Sequence, residues 1–402
     1  MTTIRSLALS IILTAIMVMA STSWAAYPQT LTSPYPWVNM SRPTDDPRWA
    51  KAFEHWDQRG ETEQAQAAIA IVEEIARDKP GDYFAQLWLC RMNFLMAMRD
   101  INNRANYCKK SIAAGDRALK VKPGDMLASY WRFNSVQLLR DMTEKEYQQF
   151  HEIVLPYRNV RPLPVPKSDP ELWAEALKKW DARTDPKQAR AAIEDFKKLA
   201  AKRPGQIEPK IYIAMAYYYV SDFETTEEAV AEVVFNGVDY ARQAVQIEPR
   251  NPEANLAVAL VLGHYGDNKG MVTIVRHSIE IAKSLQVVIE EDPAHLYGGF
   301  SRYIAEALAK VGKVALQVCA FLGFQEDQVS RVTIYSTKLE PACLDNHLAL
   351  AKMYISFGKM DEAKKTLEKV INADPAVLKY YEPENRRDQK EAQEIYNKLF
   401  KQ

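Results

Sequence analysis

The stretch WAKAFEHWDQR at Trp49–Arg59 returns as WAEALKKWDAR at Trp173–Arg183, with six of the eleven residues identical and 124 positions between them. The same offset carries QAQAAI (Gln64–Ile69) onto QARAAI (Gln188–Ile193), and Lys79-Pro80-Gly81 onto Arg203-Pro204-Gly205. Two tryptophans, an Asp-x-Arg and a Pro-Gly held at one offset mark an internal duplication. A chain written twice in this way folds as repeated supersecondary units. Glu248-Pro249-Arg250-Asn251-Pro252 echoes the turn Lys122-Pro123-Gly124 at an offset of 126, which places a small insertion in the second copy.

The repeated units read as helical. Trp49, Phe53 and Trp56 stand at i, i+4 and i+7, as do Trp173, Leu177 and Trp180, so each set makes one apolar stripe. Such a stripe is more often core than a ligand platform. Helix-like runs cover 61–77, 82–98, 104–121 and 125–140, then 189–201, 210–221, 226–247, 253–263, 271–290 and 294–309. Only 14 of 402 residues are Gly, and the abundant Ala, Leu, Lys, Glu and Gln lose little side-chain freedom in a helix. Sustained strand-like alternation is missing. Pro156, Pro162, Pro164, Pro166 and Pro170 cannot share one helix, so residues 155–170 read as a linker. The expected organisation is a first helical block over 26–154, a second over 171–310, and a C-terminal portion over 311–402. The fold class is all-α: an α-solenoid of helical hairpins with an internal duplication.

Lys+Arg and Asp+Glu both number 52, which argues against a general nucleic-acid binder. At the N-terminus, Arg5 precedes the apolar run Leu7–Ala20, and Ser23 and Ala25 suit a signal-peptidase site. Fourteen apolar residues are short for a bilayer span, so residues 1–25 read as a cleavable export signal rather than an anchor. No Cys follows the run to accept lipid, and no other long uncharged apolar segment is present, so the mature chain should carry no transmembrane segment. An exported chain meets an oxidising compartment. Of Cys90, Cys108, Cys319 and Cys343, the first two flank a helical hairpin turn near Arg99-Asp100, so a Cys90–Cys108 disulfide and a pair of buried free thiols are the two open readings.

The segment LDNHLALAKMYISFGKMDEAKKTLEKVINADP at Leu344–Pro375 resembles a 34-residue tetratricopeptide repeat (TPR) in spacing and residue type. Leu350, Ala351 and Tyr354 lie on one face of a first helix, Gly358 closes it, and Ala363, Leu367 and Val370 face back from a second. His347 stands where such repeats often carry an aromatic. One repeat cannot bury its own face, so neighbours must stack on it. YGGFSRYIAEAL (Tyr297–Leu308), LEPACLDNHLALAKMYISFGKMDEA, LEKVINADP and the charged ENRRDQKEAQEIYNKLF, taken in order, resemble the TatT family, the TPR component associated with tripartite ATP-independent periplasmic (TRAP) transporters. VDYARQA (Val238–Ala244) and AAGDRAL (Ala113–Leu119) resemble its repeated helix ends. The resemblance implies a periplasmic, non-catalytic scaffold that docks a solute-binding protein, with a channel for a small apolar or organic-acid ligand. Members of that family can be lipid-anchored, and the Cys for that is missing here.

Enzyme motifs are missing: no G-x-S-x-G, Walker loop, H-E-x-x-H, C-x-x-C or EF-hand spacing, and the six histidines include no i, i+4 pair. No catalytic residue, metal ligand or cofactor is assigned. Three constellations suit binding. Tyr217, Tyr218 and Tyr219 are consecutive, so at least one leaves the core-facing stripe. Gly298 and Gly299 precede Arg302 and Tyr303, where free N–H groups at a helix start and a guanidinium could hold a carboxylate; a tight turn with an internal ion pair is the plainer alternative. Trp88, with Phe84, Asn93 and Phe94 and the counterpart Tyr212, lies on a helix that lines either a concave surface or the core. Two functions fit: the transporter-linked scaffold, and a general TPR adaptor in cell-envelope assembly.

Overall fold

The computed structural model describes residues 31–161, 163, 165–311 and 326–401; the export signal at 1–25 and Cys319 lie outside them. All regular elements among the described residues are helical. The first copy holds α1 (Arg48–Trp56), α2 (Thr62–Asp78), α3 (Tyr83–Arg99), α4 (Arg104–Val121), α5 (Met126–Leu139) and α6 (Glu144–Val154). The second holds α7 (Pro170–Asp181), α8 (Pro186–Lys202), α9 (Glu208–Ser221), α10 (Glu227–Ile247), α11 (Pro252–Lys269) and α12 (Met271–Glu291). Then follow α13 (His295–Val311), α14 (Glu326–Leu339), α15 (Leu344–Ser356), α16 (Met360–Asn372) and α17 (Glu382–Phe400). Between α6 and α7 the described residues of the Pro-rich stretch include a 3-10 turn at Leu155–Tyr157.

Consecutive helices pack as hairpins, and alternate helices also touch: α3 on α5, α9 on α11 and α15 on α17. The sequence explains which helices lie inside. Every residue of α3 from Ala85 to Ala97 is buried, and α5, α9 and α11 are similarly apolar on several sides; helices hydrophobic all round belong in an interior. By contrast α2, α8 and α16 bury one stripe each. Asp82, Asp125, Thr226 and Asn251 cap α3, α5, α10 and α11, each side chain accepting from a backbone N–H three residues on.

The described chain forms two compact units. One, the mid-chain unit, comprises Arg161–Asp292 with the segment ending at Pro34; the other, the split unit, joins Tyr35–Val160 to Pro293–Gln402. This differs from the order of blocks in the sequence, where α13 continues the second copy. The reason lies in side chains with no helical periodicity. Trp37 stacks on Tyr130 (4.4 Å between centroids) and on Tyr35 (5.2 Å), and the Tyr130 hydroxyl accepts from Ala294 N at 3.1 Å. Arg158 holds Glu340 with two bonds, Nε to Oε2 at 2.8 Å and Nη2 to Oε1 at 2.6 Å, and the Tyr335 hydroxyl donates to Asn134 Oδ1 at 3.1 Å. In the mid-chain unit, Thr32 donates from N and Oγ1 to the Glu248 carboxylate at 2.8 and 2.5 Å, while Asn251 Nδ2 donates to Thr32 O.

The duplication is visible atom by atom. Arg59 Nη1 donates to Trp56 O at 3.1 Å with its guanidinium 4.9 Å from the Trp56 ring, and Arg183 repeats this with Trp180 at 3.2 and 4.6 Å. Asp57 is held by a two-pronged Arg42, and Asp181 by a two-pronged Arg161. Asp46 pairs with Lys79, and Asp169 with Lys202 and Arg203. So the Asp-x-Arg seen in sequence is a helix-end clasp in both copies.

Cys90 and Cys108 are buried free thiols, which corrects the disulfide reading. The heights do not match: Cys90 faces Ser111, with Sγ 3.4 Å from Ser111 Oγ and its carbonyl accepting from that hydroxyl at 2.7 Å. Ser111 lies three residues beyond Cys108, about 4.5 Å along the axis. Burial pushes the Cys90 thiol up to about 12 and Cys108 to about 11. Gly115 in α4 leaves room on both sides, since a Cβ there would stand 3.2 Å from Cys90 Sγ and 2.8 Å from Arg132 Cβ of α5.

Candidate functional site

Each residue singled out in the sequence has a definite place. Trp88 is core: its ring meets Phe53 and Trp56 edge-on and its Nε1 donates to Ser41 O at 3.2 Å. Tyr217 is half-buried beneath Lys197, whose Nζ sits 5.5 Å from the ring. Tyr218 lies edge-on to His264, and Tyr219 packs against Trp180. Trp88 and Arg302 belong to the split unit and the tyrosines to the mid-chain unit.

The Gly298–Tyr303 stretch takes the turn-and-ion-pair alternative. Helix α13 already begins at His295, and Gly298 N donates to Ala294 O at 3.1 Å, so that N–H is not free for a ligand. Gly298 adopts φ 87° against Ser336, where a Cβ would stand 2.8 Å from the Ser336 Cβ; glycine is required on both counts. Buried Asn346 closes the turn, donating to Tyr297 O and Ser336 O at 2.9 Å each and accepting from Arg302 Nη1 at 2.8 Å. Arg302 Nε completes an ion pair with Asp345 at 2.9 Å. Gly299 and Tyr303 share this helix. Arg302→Ala is therefore expected to lower stability by about 2–3 kcal/mol through the orphaned Asp345 and Asn346. Urea unfolding checks this; a loss under about 0.5 kcal/mol would return Arg302 to the list of ligand-facing residues.

Acid should loosen the same region. His347 is buried, its Nε2 is 3.2 Å from Pro341 O, and desolvation holds its pKa down at about 4 against an ordinary 6.5. The unfolded chain takes up a proton near 6.5 and the folded one near 4, so stability is full above pH 6.5 and is lost as pH falls toward 4. Between pH 7 and 5 the loss is roughly 2 kcal/mol. His347→Gln, which keeps an N–H donor without titrating, should flatten that part of the urea-midpoint profile; an unchanged profile would assign it to other groups.

A groove of about 340 Å³ lies in the split unit, lined by Glu73, Ala76 and Arg77 of α2, Pro80 of the following turn, Gln86, Leu89 and Asn93 of α3, and Lys110, Ala113, Ala114 and Arg117 of α4. Asn93, which is among the lining residues, is 2 % exposed and its Oδ1 is shielded from solvent. Its Nδ2 donates to Leu89 O at 2.8 Å, while Oδ1 has no partner. Asn93 Oδ1 is one of several buried side-chain atoms among the described residues without a hydrogen-bond partner, Trp49 Nε1 and Trp173 Nε1 among them. Arg117 Nε donates to Gln86 Oε1 at 2.6 Å, and Lys110 reaches Glu73 at 3.3 Å. The groove wall thus carries three cations against one carboxylate. Asn93 is visible in the sequence only as a companion of Trp88.

A family model described as Regulator of microtubule dynamics protein 1-3 matches residues 174–315, about a third of the chain. No curated protein sequence matches. Among solved structures, yeast Tom70 is similar at 14 % identity over 97 % of this chain and 70 % of that one, with a TM-score of 0.31. Human IFIT1, as a dimer with PPP-AAAA, is similar at 12 % identity over 82 % and 74 %, TM-score 0.28. TTC0263, a thermophilic TPR protein in Thermus thermophilus, is similar at 16 % identity over 75 % and 98 %, TM-score 0.21. The fold of this chain rests on its own packed helical hairpins, and none of these likenesses carries a function to it.

Proposed function

We propose that the protein is a non-catalytic helical-repeat scaffold, exported to the periplasm, that docks a solute-binding protein of a TRAP-type transporter and takes up a small apolar or organic-acid ligand. The observation that carries the scaffold reading is the architecture itself. Duplicated hairpins close their interiors with tryptophans, and their conspicuous charged residues clasp helix ends instead of converging on a reaction centre. The periplasmic and transporter elements are supported by the resemblance of Tyr297–Leu308 and Leu344–Pro375 to the TatT family and by the export-signal pattern in residues 1–25. The microtubule-regulator family name belongs to proteins similar over 174–315 only.

The test is gentle purification of the tagged mature chain from periplasmic extract, with mass spectrometry of the proteins and small molecules it carries. Recovery of a solute-binding protein in stoichiometric amount is the expected result. Recovery of envelope-assembly proteins alone would replace this reading with the general TPR adaptor.

A further inference from the structure

We infer that this chain associates with copies of itself, the basic outer face of α4 in one molecule seating on the acidic outer face of α10 in another. The inference goes beyond the scaffold reading and does not depend on what that scaffold docks.

The two faces are duplicates of each other. At the 126-residue offset of their closing turns, α4 and α10 bury matching positions: Cys108 with Val234, Ser111 with Gly237, and Ala118 with Ala244. Their exposed positions match too, and there the charges are opposite. On α10, Glu228, Glu232, Phe235 and Asp239 recur at i, i+4, i+7 and i+11, which makes one stripe, and all four are exposed. The three carboxylates have no ion pair with any described residue. Arg242, the one base on this helix, is committed to Glu280 of α12 by two bonds of 2.8 Å. On α4 the same stripe holds Asn106, Lys109, Ala113, Arg117 and Lys120, again all exposed. Lys109 and Lys120 have no ion pair with any described residue, and Arg117 bonds the neutral Gln86. Asp116, the one acid on α4, is held by Arg132 at 2.6 Å.

Neither arrangement helps its own helix. A face that meets only water gains from opposite charges three or four residues apart. Here Glu228 stands four before Glu232, and Arg117 three before Lys120, so like charges repel on each helix. Bringing the two faces together replaces that repulsion with attraction. The spacing fits as well. Phe235, 45 % exposed, lies between Glu232 and Asp239, which are seven residues or about 10.5 Å apart along the axis. Ala113 lies between Lys109 and Arg117, which are eight residues or about 12 Å apart. The ring can therefore rest over the small Ala113 while each carboxylate meets a cation. Phe235 is also steadied from behind: its ring is 4.8 Å from that of Tyr265 in α11, which is 6.2 Å from that of His277 in α12. A steadied aromatic anchor rimmed by charge is the pattern on which interface energy concentrates, and lysine stems with their ammonium groups lie well against such a ring.

The experiment is sedimentation velocity of the full mature chain over a range of concentrations, at about 50 mM salt and again at about 500 mM. Reversible association is expected at low salt, weakened at least tenfold at high salt. Phe235→Ala should weaken it roughly tenfold, without loss of fold because the ring is exposed. Two charge variants make the decisive test. Glu232→Lys/Asp239→Lys leaves α4 native, and Lys109→Glu/Arg117→Glu leaves α10 native. Each alone should sediment as a monomer, and an equimolar mixture should form a one-to-one complex, because the native α4 of the first meets the native α10 of the second. A chain that stays monomeric to about 200 μM at low salt would overturn the inference and leave these faces to a different partner. Association that both variants retain, or a mixture that stays monomeric, would overturn it equally.

Discussion

Arg250→Met should destabilise the mid-chain unit by about 3–5 kcal/mol, one of the two largest effects expected of any single substitution in this protein. Arg250 sits at the turn between α10 and α11, 1 % exposed, and reaches two successive carboxylates at the end of α12. Its Nε donates to Glu291 Oε1 at 2.7 Å and its Nη2 to Glu290 Oε2 at 2.7 Å, and both glutamates are shielded from water as completely as the arginine. Gln286 Nε2 supports Glu290 from one turn away at 2.8 Å. Methionine fills the space but leaves two carboxylates in a medium that cannot solvate them. The companion variant Arg250→Met/Glu290→Gln/Glu291→Gln removes the stranded charges and should regain more than half of the loss. Urea unfolding followed by circular dichroism measures both; a single-variant loss below about 1 kcal/mol would show that water reaches the carboxylates.

Trp173→Ala is the second, at about 3–5 kcal/mol. The ring is 1 % exposed and packs between Phe196 (5.9 Å) and Tyr212 (5.8 Å), so its removal leaves a cavity that three helices would have to close. The indole N–H contributes little: Nε1 of Trp173 is buried without a hydrogen-bond partner, as is that of Trp49. Trp173→Phe should therefore cost well under half as much as the alanine change, because it gives up area but no hydrogen bond. Trp49→Ala and Trp49→Phe should repeat the pattern in the split unit, where Trp49 stacks on Phe53 at 5.4 Å. If phenylalanine proves as damaging as alanine at either position, the indole nitrogen has a partner, such as a buried water, that the packing does not reveal.

The duplication that dominates the sequence survives in the structure as paired clasps, Arg59 with Trp56 and Arg183 with Trp180, because a helix end capped by its own arginine is a local device that close neighbours encode. Helix boundaries were legible for the same reason: α4 runs over the stretch expected from 104–121, and the caps Asp82 and Asp125 stand where the Pro-Gly turns place them. Helix α6 is foreshadowed only by Thr143-x-x-Glu146, whose capping box does form. The lead-in pairs Arg42-Pro43 and Arg161-Pro162, with Asp46-Pro47 and Asp169-Pro170, also repeat, at unequal offsets that hide them from a fixed-period reading. The groove was harder to see. Its lining comes from α2, α3 and α4, whose side chains meet only once the hairpins pack, so no single stretch of sequence announces it. The return of α13 and α14 to the first copy depends on single contacts, Ala294 to Tyr130 and Glu340 to Arg158, that follow no period at all.

That return has a price in time rather than in stability. A chain made from its N-terminus exposes Trp37, Tyr130 and Phe150 long before Ala294, Tyr335 and Glu340 exist to cover them, since more than 130 residues of the other compact unit emerge in between. Closing so long a loop slows assembly, and the waiting aromatic surface invites association with other chains or with a holdase. The mid-chain unit is complete in sequence once Asp292 is made, so all its partners are present while the first-made helices still wait for theirs.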